Sequence, residues 1–162
     1  MDDVESGNAH DTGILRRQIE CVGQLAASTV LVEQGLGAAL REITETAARA
    51  LNVDRISLWQ HDALDLKATC LKAYDRRARR HEEGAVLQLA QHHAHLAELK
   101  RLHVLAVDDT SLDQRAAAIR RDVLDPMGIK AVLLVSIRRE GRFIGSLACS
   151  KLSGPHHWTA EE

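Results

Sequence analysis

Apolar residues in the first fifty positions recur at helical intervals. Beside Ile14, the residues Leu15, Ile19, Val22 and Ala26 follow steps of four, three and four, while Arg16, Arg17, Gln18, Glu20 and Gln24 fall largely elsewhere, which predicts an amphipathic helix. Gly35 and Gly37 interrupt this pattern. A second stripe, Leu36, Leu40, Ile43, Ala47 and Leu51, follows and stops at Asn52, a residue suited to end a helix in the left-handed conformation. The period then changes to two. Over residues 53–61, Arg55, Ser57, Trp59 and His61 alternate with Ile56, Leu58 and Gln60, as on a strand. Residues 66–74 form a partner strand reached through Asp62, Ala63, Leu64 and Asp65, and the basic run from Arg76 to His81 reads as a charged loop or hairpin tip. Helical spacing returns over 87–102, a short strand follows over 104–107, and a helix over 116–124 is stopped by Pro126 and Gly128. Residues 131–138 and 143–151 are apolar on both faces and joined by Arg139-Glu140-Gly141-Arg142, which predicts a β-hairpin covered on two sides.

The last five residues, Trp158-Thr159-Ala160-Glu161-Glu162, place a threonine three positions before a glutamate, the reciprocal arrangement that caps a helix start. With no helix after it, this predicts a module cut from a longer protein whose output segment is missing. Residues 1–12 are expected to be disordered, 13–34 to form an N-terminal signalling or dimerisation helix, and 35–162 to form one domain truncated at the start of its C-terminal helix. A chain of 162 residues suits one domain with a helical extension.

A formal charge of −2 argues against general affinity for nucleic acid or anionic membrane. The basic run near Arg76 has no interleaved aromatic residue for base stacking. No apolar run approaches the roughly 20 residues that span a bilayer, and the acidic start lacks the segments of a secretion signal. A cytoplasmic address without membrane contact by this segment is expected. Three widely separated cysteines, Cys21, Cys70 and Cys149, give neither a disulfide framework nor a zinc pattern.

Several residue groups in this order resemble the GAF family of sensor domains. They are Asn52-Val53-Asp54-Arg55-Ile56-Ser57-Leu58-Trp59, then Cys70-Leu71 before Tyr74-Asp75-Arg76. Val107-Asp108-Asp109 with Asp113 and Arg115, Gly128-Ile129, Gly145 and the closing Trp158-Thr159-Ala160-Glu161-Glu162 complete the set. The resemblance covers roughly residues 36 to 162. It implies an α+β fold with a central antiparallel sheet of five to six strands, terminal helices on one face and a ligand pocket under loops and helices on the other. It also implies a non-catalytic module of a bacterial signalling protein, of the sensor histidine kinase or diguanylate cyclase type. Such a module binds a small molecule, forms a homodimer through its N-terminal and C-terminal helices, or does both.

On that scheme the pocket face carries Ser57, Trp59, Leu134, Ser136, Ser146, Ala148 and Ser150, and the helix face carries Ile56, Leu58, Leu133, Val135, Ile137, Leu147 and Cys149. A small-molecule pocket and a filled, ligand-free core both account for these residues. Asp108, Asp109, Asp113 and Arg115 form a polar cluster placed at the ligand site, in which Arg115, with Arg120 or Arg121, is the pocket-rim arginine to meet an anionic ligand; an aspartate cap with an Asp113–Arg115 pair is the structural reading of the same cluster. The dimer helix is assigned to Leu15, Ile19, Val22 and Ala26.

The ligand is unidentified. Metal is set aside, because His92 and His95 on one helical face, beside His93, lack further ligands, and His156 and His157 lie in a terminal loop. Cyclic nucleotide is set aside because neither Asn8 nor Asn52 precedes a lysine and Phe143, the one phenylalanine, falls in the final hairpin. Bilin is set aside because Cys70 and Cys149 lack the neighbouring histidine often found at an attachment cysteine. Two alternatives remain: a ligand-free dimerisation spacer, and a redox enzyme like the free methionine sulfoxide reductases, which would use Cys70 and Cys149.

Overall fold

A computed structural model describes residues 3–64 and 66–162, with side chains from Gly13 onward. Helix α1 spans Asp3–Ala27, α2 Val30–Gln34 and α3 Leu36–Ala50. The helix expected over 13–34 is thus two helices, and Ser28 marks the break, its hydroxyl accepting the Val30 N–H at 3.3 Å. Of the stretch 1–12 where disorder is expected, Met1 and Asp2 lie outside the described residues, and the backbone of residues 3–12 belongs to α1. Strands β1 (Arg55–His61) and β2 (Lys67–Asp75) follow, then β3 (Arg80–Glu82), β4 (Val86–Gln88), α4 (His93–Leu102) and β5 (Val104–Val107). The chain continues through α5 (Gln114–Ile119), a π-helical turn over Arg120–Leu124, β6 (Ala131–Arg139) and β7 (Arg142–Lys151).

The strands form one antiparallel sheet in the order β3-β2-β1-β7-β6-β5, with β4 also pairing β2. Seven strands stand where five to six were expected, because β3 and β4 share the free edge of β2. The first pairs with Ala73 to Asp75 and the second with Lys67 to Thr69. Leu87 and Gln88, at the start of the stretch with helical spacing, join Val86 in a strand that satisfies the β2 edge, and the helix starts only after His92. Likewise the helix read over 116–124 is α-helical only to Ile119.

Local chemistry accounts for the turns. Asn52 ends α3 at φ 50°, as its place after the apolar stripe predicted. The β6–β7 hairpin turns on Glu140 (φ 51°) and Gly141 (φ 76°), both left-handed, the requirement of a two-residue turn that matches strand twist.

The sheet separates two apolar clusters. On one face Val53, Ile56, Ala131, Leu133 and Cys149 pack with Ala48 of α3 and Trp158 of the C-terminal segment. On the other, Trp59, Ala68, Cys70, Val132, Leu134 and Ala148 meet Leu96 and Leu99 of α4, Ala116 and Ile119 of α5, and Leu124 of the π turn. This is the α+β arrangement expected, with α3 and the C-terminal segment on one face and loops and helices on the other. α1 lies along α3 with Ile14 buried and Cys21 and Leu25 half-buried.

Two close contacts hold the sheet together. Gly145 passes so near β1 that an added Cβ would sit 2.3 Å from the Trp59 carbonyl oxygen. Asp54 ties the start of β1 to the end of β7. Its carboxylate accepts the Leu152 N–H at 2.7 Å, the Ser153 N–H at 3.2 Å and the Ser153 hydroxyl at 3.1 Å, and it pairs with Arg77 Nε at 3.1 Å. Burial opposes ionisation there, but these donors and Arg77 outweigh it and hold the carboxyl below its ordinary range.

Gly145→Ala is expected to lose about 1–3 kcal/mol in urea denaturation. Gly154→Ala, whose Cβ meets nothing within 4 Å, should stay near wild type; equal loss in both would refute the close-approach account. For Asp54 the depressed pKa means that the unfolded chain takes up the proton first as pH falls. Its stabilisation is full above the unfolded value of about 3.9 and disappears as pH drops through the lower folded value. The stability gap between wild type and Asp54→Asn should therefore be largest near neutrality and close in acid.

Candidate functional site

Under α4, α5 and the π turn, the second face of the sheet encloses a cavity of about 70 Å³. Its floor is made by alternate residues of the central strands: Ser57, Trp59 and His61 from β1, Val132 and Leu134 from β6, and Ser146 and Ala148 from β7. The roof is aliphatic, with Leu96 and Leu99 from α4 and Ile119, Val123, Leu124 and Met127 from the segment beyond. Among the described residues no lysine, arginine, aspartate or glutamate lines it.

Polar groups in this apolar space are few. Trp59 Nε1–H donates to Ser57 Oγ at 2.9 Å, so the indole is satisfied within its own strand. His61 Nε2 lies 3.3 Å from Ser146 Oγ and stacks edge-on against Phe143 with ring centres 4.7 Å apart. His95, 8% exposed, sits at the roof, and its Nδ1 is buried without a hydrogen-bond partner. Burial, which the Arg115 carbonyl offsets only in part, pulls its pKa down to about 4, so the ring is neutral at physiological pH.

A second hollow beside the cavity shares Leu87 and Val123 with it. There His92 Nε2 approaches Asp122 Oδ2 at 3.5 Å, joining the loop before α4 to the π turn. His92 and His95, weighed together as metal ligands on their spacing, thus face different partners. No group of three or more potential metal ligands comes together among the described residues.

Of the residues assigned to the pocket from sequence, Ser57, Trp59, Leu134, Ser146 and Ala148 line this cavity. Ser136 and Ser150 share their strand faces but lie beyond its walls; Ser136 is half-buried near the hairpin's outer end, and Ser150 is buried at the base of β7. Asp108, Asp109 and Arg115 border a separate hollow with Ala106, Leu112 and Asp113. Their local roles are visible. Asp113 caps α5 through the Arg115 N–H at 2.8 Å. Arg115 pairs with Asp113 and donates to the Ala106 carbonyl at 2.7 Å, and Asp109 accepts the Ser111 N–H at 2.8 Å. Arg120 donates to the Ser111 carbonyl at 2.8 Å.

Asp108 anchors the C-terminal segment. Its carboxylate accepts the Trp158 N–H at 3.1 Å and meets His157 Nδ1 at 2.6 Å, and Trp158 Nε1–H donates to the Val107 carbonyl at 3.1 Å. The reciprocal half of the terminal cap is formed too, since Glu162 accepts the Thr159 N–H at 3.1 Å.

Sequence reasoning did not place His61, His95 or Met127 in the site. His61 was legible in part, since it shares the Ser57/Trp59 side of the alternation; which residues α4 and the π turn lower onto the sheet was not.

Cys70 belongs to the cavity-side cluster and Cys149 to the helix-side cluster, so the two thiols lie on opposite faces of the sheet. Burial raises both pKa values, that of Cys149 to about 12.

The GAF domain profile matches residues 35–162. No characterised protein matches the sequence at a significant level. Among solved structures, the bacteriophytochrome RpBphP3 from R. palustris superposes with a TM-score of 0.68 at 16% identity, covering 90% of this chain and 34% of that one. A far-red absorbing protein in its dark state with bound biliverdin IXa gives 0.67 at 16%, over 91% and 88%. The GAF domain of a phosphoenolpyruvate-protein phosphotransferase from Coxiella burnetii gives 0.63 at 16%, over 93% and 84%. The chain spans about a third of the bacteriophytochrome and 54% of the chromophore-binding domain of Stigmatella aurantiaca phytochrome P1.

These likenesses correct one expectation. Bilin was set aside on the cysteine pattern, yet structures of the same fold include chromophore-binding domains and one with biliverdin bound. The cysteine pattern bears only on covalent attachment at two positions, whereas a pocket also holds a chromophore by burial, so a bilin stays among the possible occupants.

In the native protein at pH 8, a thiol-exchange reagent is expected to label half-buried Cys21 and to reach Cys70 and Cys149 only on unfolding. Rapid labelling of Cys70 in the folded state would contradict the packing described here.

Proposed function

Because the chain belongs to the GAF domain family, we propose that it is a non-catalytic sensory domain of a larger cytoplasmic, bacterial signalling protein, with a kinase or cyclase as output. It binds a small molecule in the cavity under α4 and pairs with a second copy through α1. The observation that carries the sensor reading is the cavity itself, a largely apolar space with a few convergent polar groups. Ser57, Trp59, Leu134, Ser146 and Ala148 are the proposed contact residues. Asp108, Asp109, Arg115 and Arg120 serve the loops that lead from the cavity to the C-terminal segment.

The dimer reading rests on exposed apolar surface. Leu15, Ile19 and Val22 are 49%, 65% and 66% exposed, and with exposed Ala26 they form a stripe that α3 does not cover. Ligand binding would shift a population between two packings of the terminal helices, by no more than the ligand's difference in affinity for them. A ligand-free spacer shares the stripe and lacks an occupant. The redox alternative has no support from Cys70 and Cys149, which face opposite sides of the sheet.

Native mass spectrometry of the freshly purified protein, with its absorption spectrum, tests both parts. The expected result is a dimer carrying a bound small molecule, visible in the spectrum if that molecule is a bilin. The double variant Leu15→Ser, Ile19→Ser should shift the mass to monomer. A wild-type monomer at high concentration would sink the dimer reading, and a dimer with no occupant would favour the spacer.

A further inference from the structure

One side of the cavity roof is joined loosely. Among the described residues no backbone hydrogen bond links β4 and the loop after it, residues 86–92, to the π turn. What spans the gap is His92 Nε2, 3.5 Å from Asp122 Oδ2, a longer approach than a good hydrogen bond makes. The imidazole is 5% exposed and the carboxylate 55%, so one partner is packed in place and the other stands on a segment open to solvent. The spaces on either side of this contact have walls in common. Leu87 and Val123 line both the cavity of about 70 Å³ and the neighbouring hollow of about 360 Å³ that holds His92 and Asp122. Asp122 and Val123 are adjacent in the chain, so a movement of one carries the other. Leu124 follows, 2% exposed and packed in the cavity-side cluster, and it keeps the far end of the turn on the sheet.

We propose that His92 and Asp122 form the clasp of a flap: the π turn swings about Leu124, draws Val123 away from Leu87, and joins the cavity to the hollow. Closed, the cavity has room for only a few heavy atoms. Joined to the hollow, it reaches the size of small-molecule sites, roughly 300–1,000 Å³, and gains an entrance from solvent. A weak clasp suits this role, because a part-exposed ion pair is worth little and is easily parted, and loops that admit ligands belong to the least stable parts of a fold. The proposal rests on the sensor reading only for what passes through the opening; the opening itself is a property of the roof.

Quenching of tryptophan fluorescence by acrylamide, a small uncharged quencher, reads the opening, because Trp59 lines the cavity and Trp158 packs on the opposite face of the sheet. Asp122→Ala, with folding checked by circular dichroism and thermal melting, should raise the quenching constant roughly two- to fivefold, the worth of one part-exposed ion pair. Asp125→Ala removes a carboxylate just beyond the turn that pairs with Arg120 at 4.0 Å, and it should match wild type. Adding Trp59→Phe to Asp122→Ala should abolish the rise. Hydrogen exchange of the wild-type protein decides the matter even if a variant does not fold: the amides of 120–124 should exchange by local opening, ahead of those in β6 and β7. A folded Asp122→Ala that quenches like wild type, or a turn that exchanges only together with β6 and β7, would overturn the clasp and leave the sensor reading intact. The sensor reading falls on a different result, the absence of any occupant in native mass spectrometry, which leaves the quenching and exchange outcomes to decide the clasp.

Discussion

Burial of the β6–β7 hairpin on both faces is the constraint that organises the rest of the chain. At its base Ala131, Val132, Leu133 and Leu134 are all buried, and so are Ala148, Cys149 and Ser150 across the ladder. A strand with no solvent face needs a covering layer on each side. Alternation divides the residues between them: Leu133 and Cys149 go to α3 and Trp158, and Leu134 and Ala148 go to α4 and its neighbours. β1 joins the same scheme because Gly145 lets its backbone come close to β7. The ends of that pair are fastened by Asp54.

The two layers differ in character. α3 meets the sheet through small and β-branched residues, with Ala48 and Thr44 fully buried, and the contact is continuous. The opposite layer is assembled from short pieces, a ten-residue α4, a six-residue α5 and a five-residue π turn. Short segments joined by turns cover a sheet less completely than one long helix does, and the cavity lies where they meet. π turns often occur where a backbone is shaped for a site rather than for regularity. The same pieces connect outward. Arg115 holds α5 to Ala106 of β5, the next two residues, Val107 and Asp108, bind Trp158, and Trp158 packs against the helix-side cluster. A roof of the cavity and the end of the chain therefore share one strand.

Much of the candidate site was readable from the sequence because strand parity is a local property. Ser57 and Trp59, Leu134, and Ser146 and Ala148 reach the cavity by counting alternate positions. The same counting extended too far at Ser136 and Ser150, which keep the right face but lie past the cavity's ends, since parity carries no information about how far the roof extends. The polar cluster at Asp108, Asp109, Arg115 and Arg120 was legible as a cluster, and its cap was legible as a cap. Its distance from the cavity was not, because that depends on the turn by which α5 leaves β5. His95 drew notice only through its spacing from His92. Spacing brought it together with His92 as a pair, whereas the fold turns His92 toward Asp122 and leaves His95 over the sheet.

The sequence by itself determined what short-range physics determines: the helix and strand periods, the left-handed turns at Asn52 and Gly141, the two-faced hairpin, the terminal cap and the family. Only the tertiary structure decided the edge of the sheet, where β3 forms at the end of a charged loop and β4 displaces the start of a helical reading because β2 offers unpaired backbone groups. It also decided that the second layer closes over a cavity and leaves a buried imidazole nitrogen without a partner. Both outcomes depend on contacts between residues far apart in the chain, and no local pattern of polar and apolar positions records them.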